Sequence, residues 1–350
     1  MDLGKILIIF ISSLFFFYFI IRKNFLYEIY LDKDFLKPQS FHKNPTPRIG
    51  GVIILVFSIF YLLFFTEKNN FFYSIILLGI IFFTIGLFDD LKFKFKPELR
   101  LLYMFIFSFF IIYLLEIKIA YTQIQLLDDL INYNKISQTL FVCFCLLFII
   151  NGSNFIDGFN GMLILHYLII LTVLYLLIYK FSDFNYLKNY ILFSILIGFS
   201  FLIFNFPNAK IFLGDGGAYF LGANLSLIII EINKLSLLTK FSPFLFACLL
   251  FYVFFEVFFS FFRKMLFNKK NPLKPDAEHL HMLLFYFINK KINSLSKSNY
   301  LTAVIVNITY FLLITPLFLI YDNGKMCKIY FAVLILSYFC FYFTLSKKNY

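Results

Sequence analysis

Four aspartates lie in short polar stretches of a strongly apolar chain, and their side chains could hold a divalent metal ion. Asp89 and Asp90 end one apolar run, Asp157 lies in NFIDGFNG, and Asp215 lies in FLGDGGAYFLG. Carboxylates close to hydrocarbon are costly unless they are paired or bound to a metal. Mg²⁺ prefers a few carboxylates together with water and substrate phosphates, so the four aspartates predict a Mg²⁺ site, with Mn²⁺ as the alternative ion.

Each polar stretch also has a simpler interpretation when it is taken alone. Asp89 and Asp90 would suit an ordinary solvated helix end, and Asp215 would suit the N-cap of the apolar helix that it precedes. The NFIDGFNG stretch would suit a polar turn between two helices. Whether these stretches meet in space decides between the simple interpretations and a shared site.

Further polar residues could bind an anionic substrate. Asn154 and Asn160 offer hydrogen bonds to a sugar or a phosphate. His279 and His281 are two residues apart, so on a helix they would not share a face, which argues against a two-His metal site and favours hydrogen bonding to a phosphate. Arg48, within the NPTPRIGG stretch, could bind such a substrate or could simply be a positive anchor at the membrane surface. We predict substrate-binding roles for Arg48, Lys92, Asn154, Asn160, His279 and His281.

The elements that must position these residues are membrane helices. The 350-residue chain is 61% hydrophobic with a mean hydropathy of +0.86, whereas ordinary globular domains are about 45–50% apolar. A net charge of +12 would suggest nucleic acid as the partner of a soluble protein, but basic loops that meet anionic lipid explain it here, so we expect no nucleic-acid partner. The sequence has no P-loop and no G-x-S-x-G motif, and its five cysteines lack metal-ligand spacing.

Eleven apolar segments are long enough to cross a bilayer, since about 20 apolar residues span the hydrocarbon core as a helix. The sequence therefore predicts an all-α, polytopic integral membrane protein of about eleven transmembrane helices, with ten as the alternative count, in one membrane domain over residues 1–350. The first segment lacks a small-residue cleavage site and is predicted to be a retained span. The predicted spans are 3–21, 50–66, 71–88, 100–116, 137–151, 162–179, 187–205, 217–233, 241–262, 300–320 and 329–346.

The distribution of positive charge gives the chain an orientation in the membrane. An odd number of spans places the termini on opposite sides, and an outside N-terminus leaves 21 of the 31 Lys and Arg residues in cytoplasmic segments. We therefore predict a multi-pass protein of the cell inner (plasma) membrane, with a cytoplasmic C-terminus and the active site on the cytoplasmic face. The predicted cytoplasmic loops are 22–49, 89–99, 152–161, 206–216 and 263–299.

Five motifs in order resemble those of one membrane enzyme family. They are PTPRIGG (45–51), FDDLK with LR (88–100), NFIDGFNGM (154–162), FLGDGGAYFLG (212–222) and PDAEHLHML (275–283). Each motif is weak alone, but five in this order and spacing are specific. Together they resemble the polyprenyl-phosphate N-acetylhexosamine-1-phosphate transferases, the WecA- and MraY-like membrane glycosyltransferases of family 4.

The resemblance implies a fold of ten or eleven transmembrane helices, often dimeric, and a reaction between undecaprenyl phosphate and a UDP-N-acetylhexosamine that releases UMP. It implies that Asp215 is the magnesium ligand and that Asp157 is another essential acid. It further implies that Asp89 and Asp90 lie near the attacking lipid phosphate, where one accepts its proton. His279 and His281 would help to hold the phosphates of the nucleotide-sugar.

Three departures from the family pattern bear on the branch of the family. Asn160 stands where many members carry a second Asp, and Met282 follows His281 where relatives often carry another His. The His-rich end of the last loop that is typical of the muramoyl-pentapeptide branch is absent. We therefore expect a WecA-like enzyme that initiates a cell-surface polysaccharide such as the O-antigen of lipopolysaccharide. The alternative is the phospho-N-acetylmuramoyl-pentapeptide transferase of peptidoglycan synthesis.

A polytopic transporter or flippase is the alternative from another functional class. Such a protein would carry charged residues within its spans or paired half-helix interruptions in two repeats. The sequence shows no such internal symmetry, and its polar residues gather on one predicted face. A purely structural scaffold would leave the aspartates unexplained.

Overall fold

The structure is a computed structural model, and it describes most of the chain. The described residues are 3–23, 31–32, 45–91, 93, 96–235, 241–267, 271–272 and 276–349. The predicted substrate-binding residue Lys92 lies outside them.

The described chain is almost entirely helical. In chain order the helices are α1 Leu3–Lys23, α2 Gly50–Phe65, α3 Asn70–Asp90, α4 Pro97–Leu115, α5 Gln125–Tyr133, α6 Lys135–Ile156, α7 Met162–Ile178, α8 Asn185–Asn205, α9 Gly214–Lys234, α10 Pro243–Leu249, α11 Phe251–Phe262, α12 Leu280–Ile292, α13 Leu295–Ile314, α14 Leu317–Ile320 and α15 Gly324–Asn349. A 3₁₀ turn spans Ser182–Phe184 and a π turn spans Arg263–Phe267. The short strands β1 (Leu31–Asp32) and β2 (Thr46–Pro47) pair antiparallel.

The helices confirm the predicted all-α, polytopic membrane architecture. Within the described residues, eight helices are long and apolar enough to cross a membrane, and nine if the bent pair α10 and α11 forms one span. Two further apolar helices, α2 and α7, are shorter. Each of the eleven predicted spans thus has a helical counterpart, while the number of crossings and the face that carries the site stay predictions.

The ninth predicted span, 241–262, is wrong as a single helix. It is broken at Leu250 into α10 and α11, whose axes differ by 72°. A break inside an apolar span frees backbone carbonyl groups that must find another partner. The hydroxyl of Tyr310 on α13 donates to the carbonyl oxygen of Leu249, 2.6 Å away, so a neighbouring helix stabilises the break.

Helix α9 is the centre of the bundle, because 89% of an 18-residue apolar stretch of this helix is buried. It packs closely on α2 and α3 because glycines face each other at the crossings. A methyl group on Gly217 would lie 2.7 Å from the Cα atom of Gly51, and one on Gly86 of α3 would lie 2.6 Å from the Cα atom of Gly216. Small residues at such crossings let two backbones approach closely. This packing brings the C-terminal end of α3 to the N-terminal end of α9.

Candidate active site

Asp90 joins the end of α3 to the start of α9. Its Oδ1 atom accepts a hydrogen bond from the backbone N–H of Asp215 (3.0 Å), and its Oδ2 atom accepts one from Gly216 (3.1 Å). Arg48 lies 3.3 Å from Asp90 Oδ1 and 3.8 Å from Asp215 Oδ1. The Asp90 side chain is 3% exposed and that of Asp215 is 31% exposed. Asp90 therefore fixes the backbone of α9, and Asp215 presents the more accessible carboxylate.

The start of α9 differs from the sequence prediction. The helix begins at Gly214 rather than at residue 217, and its N-cap residue is Leu213, so Asp215 lies inside the first turn and is not the cap. Gly214 has φ +81°, and a methyl group there would lie 2.6 Å from Asp90 Oδ2. Glycine is therefore required at this position, because other residues rarely adopt this backbone conformation and their Cβ atom would collide with the Asp90 carboxylate. The free N–H groups of the first turn, which an N-cap would satisfy, are instead partly satisfied by Asp90.

Asp89 and Asp90 contact different partners although they are adjacent. Successive residues on a helix point about 100° apart. Asp89 forms an ion pair with Arg100 of α4, whose guanidinium lies over the ring of Tyr219, 5.8 Å from its centroid. The Asp89 side chain is 14% exposed. The two carboxylates therefore have separate partners among the described residues.

Asp157 follows the last residue of α6 and faces the same cluster of charges. Within the described chain its side chain makes no hydrogen bond or ion pair, although its backbone N–H donates to the carbonyl oxygen of Asn154. Burial raises the pKa of the Asp157 carboxyl to about 7; the negative charges of Asp215 and Asp90 raise it too, and Arg48 opposes them. Arg48 thus lies beside the carboxylates of α3 and α9 and interacts electrostatically with the carboxyl at the end of α6.

The turn after Asp157 is held by side-chain amides from distant segments. The backbone N–H of Asn160 donates to Asn299 Oδ1 (2.8 Å), and the Asn160 side-chain amide donates to the carbonyl oxygen of Pro207 (2.9 Å). Gly161, with φ +79°, donates its N–H to Asn205 Oδ1 (2.6 Å). The Asn154 side chain has no hydrogen-bond partner among the described residues. Asn154 is therefore the more available of the two predicted asparagines.

His279 and His281 lie side by side, with ring centroids 5.5 Å apart and ring planes 8° apart. The expectation that they would face different directions is wrong, because His279 is the N-cap residue of α12 with an extended backbone, and only His281 is helical. The Nδ1 atom of His279 lies 3.0 Å from Glu256 Oε2, and its Nε2 atom lies 3.6 Å from Asp276 Oδ1. Both ring nitrogens of His279 thus face carboxylates rather than open space.

His281 is fully buried, and one of its ring nitrogens faces the Asp157 turn. Its Nδ1 atom lies 3.1 Å from the hydroxyl of Tyr252, while its Nε2 atom has no hydrogen-bond partner among the described residues. A methyl group on Gly158 would lie 3.9 Å from that Nε2 atom. Burial lowers the pKa of His281 to about 4, so the ring is neutral near pH 7. A neutral imidazole can still donate one hydrogen bond from the nitrogen that carries the proton.

The carboxylates could supply some of the ligands of a Mg²⁺ ion but not a complete coordination shell. No three His, Cys, Asp or Glu side chains of the described chain lie close enough to enclose a metal. Mg²⁺ is often held by only one or two carboxylates, with water and substrate phosphates as the other ligands. Asp215 and Asp157, neither of which is fully hydrogen-bonded, are the carboxylates that could supply those contacts.

Two charged residues of the site region were not singled out from the sequence. In the sequence, Arg100 looks like any other basic residue of a loop, and only the fold shows that it pairs with Asp89. Glu256 does carry a signal, because it is a lone carboxylate within the apolar stretch FYVFFEVFFSFF. A lone charge within a span usually has a specific partner.

Known proteins resemble this chain across the same region. The family model described as Glycosyl transferase family 4 matches residues 72–233, which include all four aspartates but neither Arg48 nor the two histidines. A phospho-N-acetylmuramoyl-pentapeptide-transferase of Dictyoglomus turgidum (strain DSM 6724 / Z-1310) is 33% identical, with 67% of this chain and 76% of the relative covered. The protein of the same name from Francisella tularensis subsp. tularensis (strain FSC 198) is 32% identical over 56% of this chain. The chain spans 62% of the length of that Francisella relative.

Proposed function

The chain belongs to glycosyl transferase family 4, and on that premise we propose that it transfers a sugar 1-phosphate from a UDP-sugar to a polyprenyl phosphate such as undecaprenyl phosphate. The products are a polyprenyl-diphosphate sugar and UMP. The observation that carries this proposal is the convergence of Asp90, Asp157 and Asp215 around Arg48.

The proposed reaction exchanges one phosphoanhydride bond for another. An oxygen of the polyprenyl phosphate bonds to the β-phosphorus of the UDP-sugar, and the bond from that phosphorus to the oxygen bridging the α-phosphate breaks. UMP leaves with the bridging oxygen. Phosphoryl transfer needs mostly positioning and charge stabilisation from a protein. A cation such as Arg48 among carboxylates, beside lipid, suits two phosphate-bearing substrates of which one keeps its tail in the membrane.

The geometry supports different roles for the four aspartates. Asp215, which is more exposed than Asp89 and Asp90, is proposed to hold Mg²⁺, which would neutralise phosphate charge when bound. Asp157 is proposed to share in that contact. Asp90 has both oxygens on backbone N–H groups and is proposed to position α9. Asp89 is therefore the better of the adjacent pair to receive the proton of the lipid phosphate, with Arg100 holding it.

The remaining polar residues are proposed to bind the donor. Asn154 has a free side chain among the described residues, and His281 offers an unpartnered Nε2 atom beside the Asp157 turn. Arg48 would contact phosphate oxygens. His279 is proposed to support His281, because its own ring nitrogens face carboxylates.

The names of the relatives favour the peptidoglycan branch over the surface-polysaccharide branch that the sequence departures suggested. The relatives described above are phospho-N-acetylmuramoyl-pentapeptide-transferases, and none supports the initiation of an O-antigen. We therefore propose a UDP-N-acetylmuramoyl-pentapeptide as the donor. Met282, buried beside His281, still departs from the family pattern, so a UDP-N-acetylhexosamine remains the competing donor.

The site is proposed to face the cytoplasm, where the nucleotide-sugar would be available. The support is the excess of Lys and Arg in the segments assigned to that side. The homodimer that the family resemblance implies stays a prediction.

A donor panel tests the proposed function. Purified protein in detergent would be incubated with Mg²⁺, undecaprenyl phosphate and, in turn, UDP-N-acetylmuramoyl-pentapeptide, UDP-N-acetylglucosamine and UDP-N-acetylgalactosamine. We expect UMP release with the first donor, dependent on the lipid. Release with only an N-acetylhexosamine donor would assign the chain to the other branch, and release with none would refute the transfer reaction for these donors.

A further inference from the structure

Glu256 is a buried carboxylate in the second half of the broken span. It lies on α11 with only 1% of its surface exposed. Its Oε2 atom lies 3.0 Å from His279 Nδ1, and its Oε1 atom accepts hydrogen bonds from the backbone N–H of Leu280 (3.2 Å) and the hydroxyl of Tyr338 (3.0 Å). A buried carboxylate without hydrogen-bond donors would be costly, and these three donors remove that cost for Glu256. Glu256 therefore ties the start of α12 to both α11 and α15.

The same face of α11 also holds His281. Tyr252 lies one helical turn before Glu256, and its hydroxyl lies 3.1 Å from His281 Nδ1. One helix thus contacts both histidines, one through a carboxylate and the other through a phenol. Because both contacts come from α11, the orientation of that half-helix decides where the two imidazole rings lie.

The result is a fixed direction for the remaining nitrogen of His281. With Nδ1 at Tyr252, Nε2 points toward Gly158 in the turn that carries Asp157. If the N-terminal end of α12 were released from Glu256, the backbone of Leu280 would lose its partner, and the adjacent His281 would lose its fixed position. The break at Leu250 allows α11 to approach this turn at an angle that a straight span would not have.

We propose that Glu256 is a positioning residue, which anchors the His279–His281 segment to α11 so that His281 faces the Asp157 turn. Its importance for catalysis rests on the proposed function, in which His281 contacts the phosphates of the nucleotide-sugar. The anchoring itself does not depend on that function, and it can be measured without any substrate.

Hydrogen exchange tests the anchor. Exchange of the amides in 279–284 would be followed by mass spectrometry in the purified full chain and in Glu256→Gln. We expect at least a tenfold faster exchange in this variant, because Leu280 loses a charged acceptor. Glu231→Gln is the matched control, since Glu231 is also a mostly buried glutamate that accepts from a tyrosine hydroxyl (Tyr186, 2.7 Å) at the other end of α9. Unchanged exchange in Glu256→Gln would overturn the anchor. If that variant fails to fold, Glu256→Asp keeps the charge, shortens its reach and allows the same comparison.

Kinetics test the catalytic consequence. We expect kcat/KM for the UDP-sugar to fall about tenfold in Glu256→Gln through a higher KM for that donor, with the KM for polyprenyl phosphate unchanged. A general packing defect would lower the active fraction and change neither KM. His279→Gln should act similarly, and the double variant should be no worse than the single ones, because both remove the same contact.

The outcomes separate the anchor from the function. Multiplicative losses in the double variant, or an unchanged donor KM in Glu256→Gln, would refute positioning through His279. A wild-type chain that releases no UMP, yet whose 279–284 amides are protected by Glu256, would refute the proposed function and leave the anchor intact.

Discussion

At the scale of single residues, exposure and hydrogen bonding divide the aspartates into two kinds. Asp90 is enclosed and has both oxygens on backbone N–H groups, whereas Asp215 and Asp157 keep oxygen atoms that a ligand could use. The same residue type therefore serves the fold at one position and the proposed chemistry at two others. Substitutions at these positions should separate loss of stability from loss of turnover.

The first prediction concerns Asp215. Asp215→Asn keeps the shape of the side chain and removes the charge proposed to hold Mg²⁺. We expect UMP release to fall ~10²-fold or more, the scale on which a positioned electrostatic group contributes, with an unchanged melting temperature in detergent. Asp183→Asn, at an exposed aspartate before α8, is the control and should retain activity. Near-normal turnover of Asp215→Asn, or full activity of the wild type in EDTA, would contradict the role.

The second prediction concerns Asp157 and gives a pH dependence. Its pKa in the folded protein is raised to about 7 from an ordinary value near 4, so between these values the folded state binds more protons than the unfolded state. The contribution to stability therefore decreases as pH rises from about 4 to 7. Without divalent cations, the wild type should lose melting temperature over this range relative to Asp157→Asn.

The same variant tests the chemistry of Asp157. If the residue only shapes a turn, Asp157→Asn should keep the wild-type rate, since Asn preserves most of its shape. If its charge serves the reaction, turnover should fall ~10²-fold or more. Melting curves of the variant and the wild type, recorded at the assay pH and at a lower and a higher pH, show whether a loss of turnover comes from unfolding.

At the scale of helices, glycine contacts set how closely the elements carrying the aspartates approach. An added methyl group at Gly51 would overlap the backbone of Gly217, where no flexible side chain can move away. We expect Gly51→Ala to destabilise the protein by about 1–3 kcal/mol, the usual cost of overpacking. Gly158→Ala is the matched control, because a methyl group there would meet only His281 Nε2 among the described residues, at an ordinary contact distance of 3.9 Å. Equal melting temperatures for the two variants would contradict the close crossing.

The helices also show what a sequence can and cannot predict in such a protein. Long apolar runs predicted the helices well, because membrane helices must satisfy their own backbone hydrogen bonds. The break at Leu250 was missed since no Pro or Gly marks it, and its free carbonyl is satisfied by Tyr310 from a distant helix. The fold brings Asp90 to Asp215, although 125 residues separate them, while the adjacent Asp89 pairs with Arg100, which sequence adjacency alone does not indicate.

At the scale of the whole molecule, the open question with a direct test is orientation. We predict that a Cys introduced at Ser296 will resist a membrane-impermeant thiol reagent in intact cells and that one at Asn323 will react, because these exposed positions lie at opposite ends of α13 and its neighbours. Both would be placed in a chain whose exposed Cys340 is replaced by Ser. Labelling at Ser296 from outside would reverse the proposed orientation.

The enclosure of α9 has a consequence for how members of the family diverge. This helix touches neighbours along nearly its whole length, and it cannot rotate or slide without breaking glycine contacts with α2 and α3. The position of Asp215 is therefore fixed relative to α2 and α3. We expect preferences for different sugars to evolve in segments outside this central helix. The phosphates of each donor would then bind at the same position in every family member, while the residues that contact the sugar would differ.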